Sequence, residues 1–152
     1  MSGEPPSIPA GFTRWRERPG FIAVVGPLYV RHEPGRLLLG FRVEPRHCNP
    51  MDICHGGMMA TFCDMLLPIG AHALSEAVHG RFLPTISLQL DYLAPAPLGC
   101  WVQGETQLLS TTRTMVFAQA LVTADDVPAA RASGILKIGA PFPTGFTATA
   151  AP

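Results

Sequence analysis

The stretch GGMMATFCDMLLPIGAHALSEA, Gly56 to Ala77, decides the architecture. No other segment is both long enough and apolar enough for a major helix, and at the ordinary rise per residue it reaches roughly 30 Å. Met58, Met59, Phe62, Leu66, Ile69 and Leu74 leave few polar positions anywhere around it. A helix apolar on nearly every side is covered on several sides. One helix is most simply enclosed by antiparallel strands curling around it, which predicts an α+β fold with the helix as filling. Pro68 lies within this helix and lacks the N–H that would bond the carbonyl of residue 64, so a kink or a free acceptor is expected beside Asp64.

Working outward, the pattern reads two strands, the helix, then four strands. Upstream, Leu37, Leu39, Phe41 and Val43 alternate onto one face, and Glu33-Pro34-Gly35 turns a hairpin between Gly26 and Val43. Downstream, Ile86, Leu88, Leu90 and Tyr92 share a face, and that run stops at Pro95 and Pro97. The runs Cys100 to Ser110 and Arg113 to Ala124 form a wide hairpin across Thr111-Thr112, and a last strand from Ala129 to Ile138 follows Asp125-Asp126. The chain of 152 residues thus divides into an N-terminal segment, 1–20, expected to be partly flexible, one domain over 21–140, and a Pro, Thr and Ala-rich tail, 141–152, expected to be disordered.

Composition narrows the function. Hydrophobic residues make up 47% and charged residues 14%, as in a well-packed globular protein. Eleven basic residues balance eleven acidic ones, which leaves no summed positive field for nucleic acid or an anionic membrane. Residues 1–11 show no basic start followed by an apolar run, and no stretch approaches ~18 uninterrupted apolar residues, so a cytoplasmic protein without a membrane partner is expected. Cys48, Cys54, Cys63 and Cys100 show no C-x-x-C spacing and are expected to be reduced core thiols, with no metal bound. His32, His47, His72 and His79 are expected on the surface or in loops.

The residues that carry chemistry are Asn49, His55-Gly56-Gly57, Asp64 on the helix and Thr85 at the head of the next strand. The Asn lies six residues before the His, the Asp nine after it, and Asp91-Tyr-Leu-Ala-Pro-Ala96 ends the following strand. This combination resembles the hot-dog fold thioesterases of the PaaI-like family and their mammalian acyl-CoA thioesterase relatives, over about residues 20 to 139. The resemblance implies a hot-dog fold, an acyl-CoA substrate and hydrolysis to a free acid and CoA. It implies no separate cofactor, coenzyme A being part of the substrate.

Thioester hydrolysis needs a group that activates or replaces water and donors for the carbonyl oxygen as charge develops on it. Gly56 and Gly57 open the helix, where unpaired N–H groups and the dipole favour negative charge, and glycine admits a ligand closely. Asp64 supplies a carboxylate, either as general base or as a nucleophile forming a mixed anhydride. Asp64 lies ~12 Å along the axis from Gly56, too far for one helix to present both groups to one carbonyl. Gly56 of one subunit is therefore expected to face Asp64 of another in a homodimer, and the family implies the same; further pairing into a homotetramer stays open.

By the resemblance, Thr85 holds the attacking water. Asn49 is placed to bind the carbonyl or water, His55 to support the loop or that Asn, and Gly57 and Met58 to contact substrate. The ordinary structural alternatives are a turn pair at Asn49-Pro50, a permissive helix entry at His55-Gly56-Gly57 and a strand-start Thr85. Two functional rivals share the fold: an acyl-CoA binding or regulatory module without turnover, and a dehydratase or hydratase of 3-hydroxyacyl thioesters.

Overall fold

The computed structural model describes residues 7–146. The long helix, α2, spans Gly56–Leu74, preceded by a short helix α1 at Phe21–Val25. Seven antiparallel strands surround it: β1 (Thr13–Arg14), β2 (Tyr29–Glu33), β3 (Arg36–Arg42), β4 (Thr85–Tyr92), β5 (Trp101–Thr111), β6 (Met115–Ala124) and β7 (Val127–Lys137), in spatial order β1-β2-β3-β5-β6-β7-β4. This is the hot-dog arrangement. The two-residue β1 and the five-residue α1 are additions to the expected order, since elements so short carry no periodicity to read.

Between β3 and β4 the chain crosses β5, β6 and β7 to the far edge of the sheet, and α2 makes that crossing, packing against β3, β5, β6, β7 and β4. In length and mean hydropathy α2 matches a bilayer-spanning segment, but here the sheet covers it, and Phe62, Cys63, Leu66 and Leu67 have no accessible surface. Close approach comes from glycines. A Cβ on Gly104 of β5 would meet Leu66 Cδ2 at 2.5 Å, and one on Gly134 of β7 would meet Leu67 Cδ1 at 2.6 Å. Each leucine therefore seats in a notch that any side chain would fill. Register shifts at Thr85/Ser87, Leu108/Ser110 and Val122/Thr123 bend the strands around the helix. Asp125 and Asp126, at φ 44° and 67°, close the β6–β7 hairpin in the left-handed conformations that a tight two-residue turn requires.

α2 continues through Pro68, where the Asp64 carbonyl lacks the N–H that another residue at 68 would supply. Several other expectations change. One stripe, Gly57, Thr61, Asp64 and Pro68, is less covered than the rest, so Asp64 is exposed although its neighbours are apolar. His47 and His72 are buried, at 2% and 6% exposure, rather than superficial. His47 accepts the Glu44 N–H at Nδ1 (3.0 Å), reaches the Val25 carbonyl through Nε2 (2.7 Å) and packs edge-on against Phe41. Residues 141–146 are placed rather than loose: Pro141 bridges to Arg81, and the Phe142 N–H bonds the Gly80 carbonyl at 2.8 Å. The rest of the expected disordered tail, 147–152, lies outside the described residues, as do residues 1–6. Within the N-terminal segment, Phe12 packs edge-on against Trp101 on the outer face of the sheet. All four cysteines are free; three are buried and Cys48 is half-buried.

Candidate active site

The chain enters α2 through a turn that Asn49 organises. The Asn49 side-chain oxygen accepts the Met51 N–H at 2.9 Å, and the Asn49 N–H bonds the Ile53 carbonyl at 2.9 Å. An Asx turn of this kind explains an Asn before Pro50. His55 is the helix N-cap: extended at φ −60°, ψ 138°, it accepts the Gly57 N–H at Nδ1, 2.9 Å away. A neutral imidazole that accepts at Nδ1 carries its proton on Nε2, so the cap fixes the tautomer. His55 thus supports the helix entry and does not bond the Asn49 side chain.

The N–H groups of the first turn can now be accounted for. Those of Met58 and Met59 go to the His55 carbonyl (2.9 and 3.1 Å), and that of Gly57 goes to the His55 ring. The Gly56 N–H meets no acceptor among the described residues. It is the donor left for a ligand, whereas the Gly57 N–H expected to share that task is occupied. Met58 turns into the core, at 8% exposure, and packs there. Tyr92, at the end of β4, donates its hydroxyl to the Gly56 carbonyl at 2.8 Å, with its ring 3.4 Å from where a Gly56 Cβ would stand. The sequence reading placed Tyr92 only as one member of an apolar strand face.

At the other end of β4, the Thr85 hydroxyl donates to Asp64 Oδ1 at 2.7 Å. This brings together the carboxylate and the hydroxyl singled out from the sequence. Asp64 Oδ2 has no partner among the described residues, and the Thr85 oxygen, having given its proton to Asp64, retains lone pairs for a water. Cys63, next along the helix, is pushed up to about 12 by burial, with Asp64 adding to the effect, so it stays a thiol and is no rival nucleophile. Asn49, His55 and Gly56 cluster at the helix start, and Asp64 with Thr85 forms a separate group within one chain.

A groove of about 470 Å³ opens from the Asp64–Thr85 pair. Met65, Pro68, Ile69 and His72 of α2 form one wall, Phe82 to Pro84 another, and Trp15 with Phe142 and Phe146 close it. A larger hollow of about 870 Å³, around Gln103, Glu105, Gln107, Gln119 and Arg131, includes none of the candidate site residues. No cluster of three or more His, Cys, Asp or Glu groups suited to a metal occurs among the described residues.

Residues 51–130, just over half the chain, match the family model described as the thioesterase superfamily. A Pseudomonas aeruginosa protein described as an esterase is 28% identical over 133 residues, covering 87% of this chain and 98% of its own. Acyl-coenzyme A thioesterase 13 of Mus musculus is 28% identical over 106 residues, 69% of this chain and 74% of that one. The crystal structure of zebra fish thioesterase superfamily member 2 superposes with a TM-score of 0.70 at 28% identity, covering 81% of this chain and 89% of that one.

Proposed function

Because this chain belongs to the thioesterase superfamily, we propose that it hydrolyses acyl-CoA thioesters to a free acid and CoA, at sites each shared between two subunits of a homodimer. The observation that carries the reading is the Asp64–Thr85 pair, 2.7 Å apart, at the mouth of an apolar groove. Thr85 accepts one hydrogen of a water, and Asp64 Oδ2 takes the proton as the water oxygen adds to the thioester carbonyl. The carbonyl oxygen becomes an oxyanion, which the free Gly56 N–H and the positive end of α2 stabilise. Collapse breaks the C–S bond, and the CoA thiolate leaves with the proton returned from Asp64. Thr85 orients, Gly56 stabilises, and Asn49, His55 and Tyr92 hold the loop and helix start in place.

Three observations support completion by a second copy. Gly56 and Asp64 sit ~12 Å apart on one helix axis. The α2 stripe at Gly57, Thr61, Asp64 and Pro68 is incompletely covered. β4 ends the sheet and leaves Ile86, Tyr92 and Leu93 at 53%, 58% and 52% exposure. Four free thiols suit a reducing, cytoplasmic setting, which is part of the proposal.

The deciding assay follows CoA thiol release across short-chain, long-chain and aryl acyl-CoAs. Asp64→Asn and Asp64→Ala are expected to lose about 10²- to 10⁴-fold in kcat, the range for a general base. Undiminished turnover in both would remove Asp64 from the reaction, and label from H₂¹⁸O found in Asp64 after one turnover would make it the nucleophile. For the shared site, inactive Gly56→Val and Asp64→Asn chains are refolded together. Half the dimers are then mixed, each with one intact site, so the mixture regains about a quarter of wild-type activity. No recovery, or a fully active monomer on dilution by light scattering, excludes the shared site.

A further inference from the structure

Two thiols flank the loop that carries Asn49. Cys48 directly precedes Asn49, Cys54 directly precedes His55, and the two face each other in an isolated antiparallel bridge. The His55 N–H bonds the His47 carbonyl at 2.8 Å and the Asn49 N–H bonds the Ile53 carbonyl at 2.9 Å, one step outside and one step inside the pair. Cys48 and Cys54 are therefore a non-hydrogen-bonded cross-strand pair, whose Cα atoms ordinarily stand about 4.5 Å apart with their side chains on one face of the ladder. A disulfide spans Cα separations of about 4.4–6.8 Å, so the backbone already holds the two residues within bonding reach. In the reduced chain each thiol makes only a weak contact, Cys48 with the Glu44 carbonyl at 3.4 Å and Cys54 with the His55 carbonyl at 3.7 Å. Turning the two side chains toward each other gives up little.

The two thiols differ in access, and the difference sets the order of events. Cys48 is half-buried beside the exposed Pro50, Met51 and Asp52, whereas Cys54 is 9% exposed. Burial, with Asp52 adding to it, raises the pKa of the Cys48 thiol, and burial pushes Cys54 up to about 12. Neither is appreciably ionised at neutral pH, so oxidation is slow and begins at Cys48, while Cys54 reacts only from within the chain. Cys100 weighs on the Cys54 thiol more than Cys48 does, because it is buried and charges interact more strongly where water is excluded. Its backbone, however, bonds Pro97 and Val43, and it bridges neither of the other two among the described residues.

We propose that Cys48 and Cys54 are a reversible oxidation site, at which a hydroperoxide makes an intrachain disulfide that clamps the loop leading into α2. The Cys48 sulfur attacks the near oxygen of the hydroperoxide and the O–O bond breaks. The far oxygen leaves as water or an alcohol with the proton given up by the Cys48 thiol, and Cys48 becomes a sulfenic acid. The Cys54 sulfur then attacks the Cys48 sulfur, the S–O bond breaks, and the hydroxyl leaves as water with the Cys54 proton. Two thiols are oxidised by two electrons in all, and one hydroperoxide is reduced by the same number. A dithiol restores the pair by exchange. In a reducing compartment such a bond is transient, as redox-sensing disulfides are. Its effect follows from its position: it ties together the two stems of the loop that holds Asn49 in its Asx turn and His55 at the cap of α2. The inference rests on the backbone pairing and is independent of the reaction catalysed nearby.

The test treats the folded full-length chain with hydrogen peroxide at mildly alkaline pH, blocks the remaining thiols, cuts at Asp52 between the two cysteines and maps the products by mass spectrometry. Wild type is expected to lose two hydrogens and to yield a peptide pair joined through Cys48 and Cys54, both reversed by dithiothreitol. Cys54→Ala is expected to stop at a sulfenic or sulfinic acid on Cys48 with no joined pair. If Cys54→Ala does not fold, Cys48→Ala, at the half-buried position, is expected to give no disulfide at all. Oxidised wild type is expected to melt roughly 5 °C higher, the gain for closing a loop this short. Its amide hydrogens over residues 49–57 are expected to exchange more slowly, and dithiothreitol to abolish both differences. A joined peptide containing Cys100, a disulfide between chains, or overoxidation of Cys48 in wild type with no joined pair overturns the proposal. A Cys48–Cys54 disulfide that leaves Tm and exchange unchanged overturns the clamp.

Discussion

Replacing Gly70 by alanine tests how α2 is seated, and the structure sets the size of the effect. A Cβ at Gly70 would stand 2.2 Å from Thr106 Oγ1, 2.3 Å from Thr106 Cβ and 3.0 Å from its Cγ2, where ordinary contact begins at 3.4 Å. Thr106 is itself buried, and its hydroxyl donates to the Leu66 carbonyl at 2.8 Å, so neither surface has room to retreat. In a free helix, Gly to Ala stabilises by about 1 kcal/mol. Here overpacking costs up to about 3 kcal/mol, and parting the helix from β5 weakens a buried hydrogen bond for about 1 kcal/mol more. The net loss is about 3 kcal/mol, which at this chain length lowers Tm by roughly 6–12 °C. Thermal and urea unfolding at fixed protein concentration measure it. Second-site variants sharpen the result. Thr106→Ala keeps the Cβ at 2.3 Å and should not rescue Gly70→Ala, whereas Thr106→Gly, which removes the clash together with the hydrogen bond to Leu66, should recover part of the loss. An unchanged Tm in Gly70→Ala, or equal rescue by both second-site variants, would refute this account of the helix–sheet contact.

Three further outcomes follow. Thr85→Ala should lower kcat by about tenfold or more with little change in Tm, because the hydroxyl is exposed and bonds only Asp64, while Thr85→Ser should keep most of the rate; equal loss in both would assign the effect to the missing methyl. In the native protein Cys54 and Cys63 are pushed up to about 12 and Cys100 to about 11 by burial, so 5,5′-dithiobis(2-nitrobenzoate) at pH 8 should label these three only after denaturation; rapid labelling of the folded protein would contradict their burial. His47 and His72 have pKa values held below 6.5 chiefly by burial, so below that pH the unfolded chain binds protons that the native chain refuses. Their contribution is therefore intact above pH 6.5 and lost progressively as pH falls toward the folded values, each with a slope of at most about 1.4 kcal/mol per pH unit; a Tm flat between pH 7 and pH 5 would contradict this.

The parts of the fold that sequence made legible are those with a long, repeated signal. α2, the β2–β3 hairpin and the β5–β6–β7 run each carry enough residues for period and turn chemistry to agree. Asp64 and Thr85 could be singled out separately, and the structure joins them by a hydrogen bond. What stayed hidden depends on three-dimensional closure. His72 lies in a helix whose apolar character all round gave no way to tell a covered face from an open one, and the same ambiguity made Asp64 look buried. The tail's Phe142 and Phe146 sit among Pro, Thr and Ala, and only the pairing with Gly80 and Arg81 shows that they return to the domain. Tyr92 reads as a strand-end aromatic until its hydroxyl is seen on the Gly56 carbonyl. The difference between Gly56 and Gly57 is a matter of one side-chain rotamer at His55, which a pair of glycines cannot announce.

If the chain pairs as a homodimer, as proposed above, the position of β4 has a consequence for its life before assembly. As the final strand, it presents one row of backbone N–H and C=O groups with no neighbouring strand among the described residues. Its sequence, TISLQLDY, contains a single charge, no lysine and no proline. Those are the devices by which sheet margins ordinarily discourage indiscriminate pairing. A newly made chain is therefore adhesive along β4 until that margin is covered. Variants that slow its covering should be lost to inclusion bodies before any defect in catalysis can be measured, and soluble yield should rise when Ser87 or Gln89, both exposed, is replaced by lysine, at the expense of assembly.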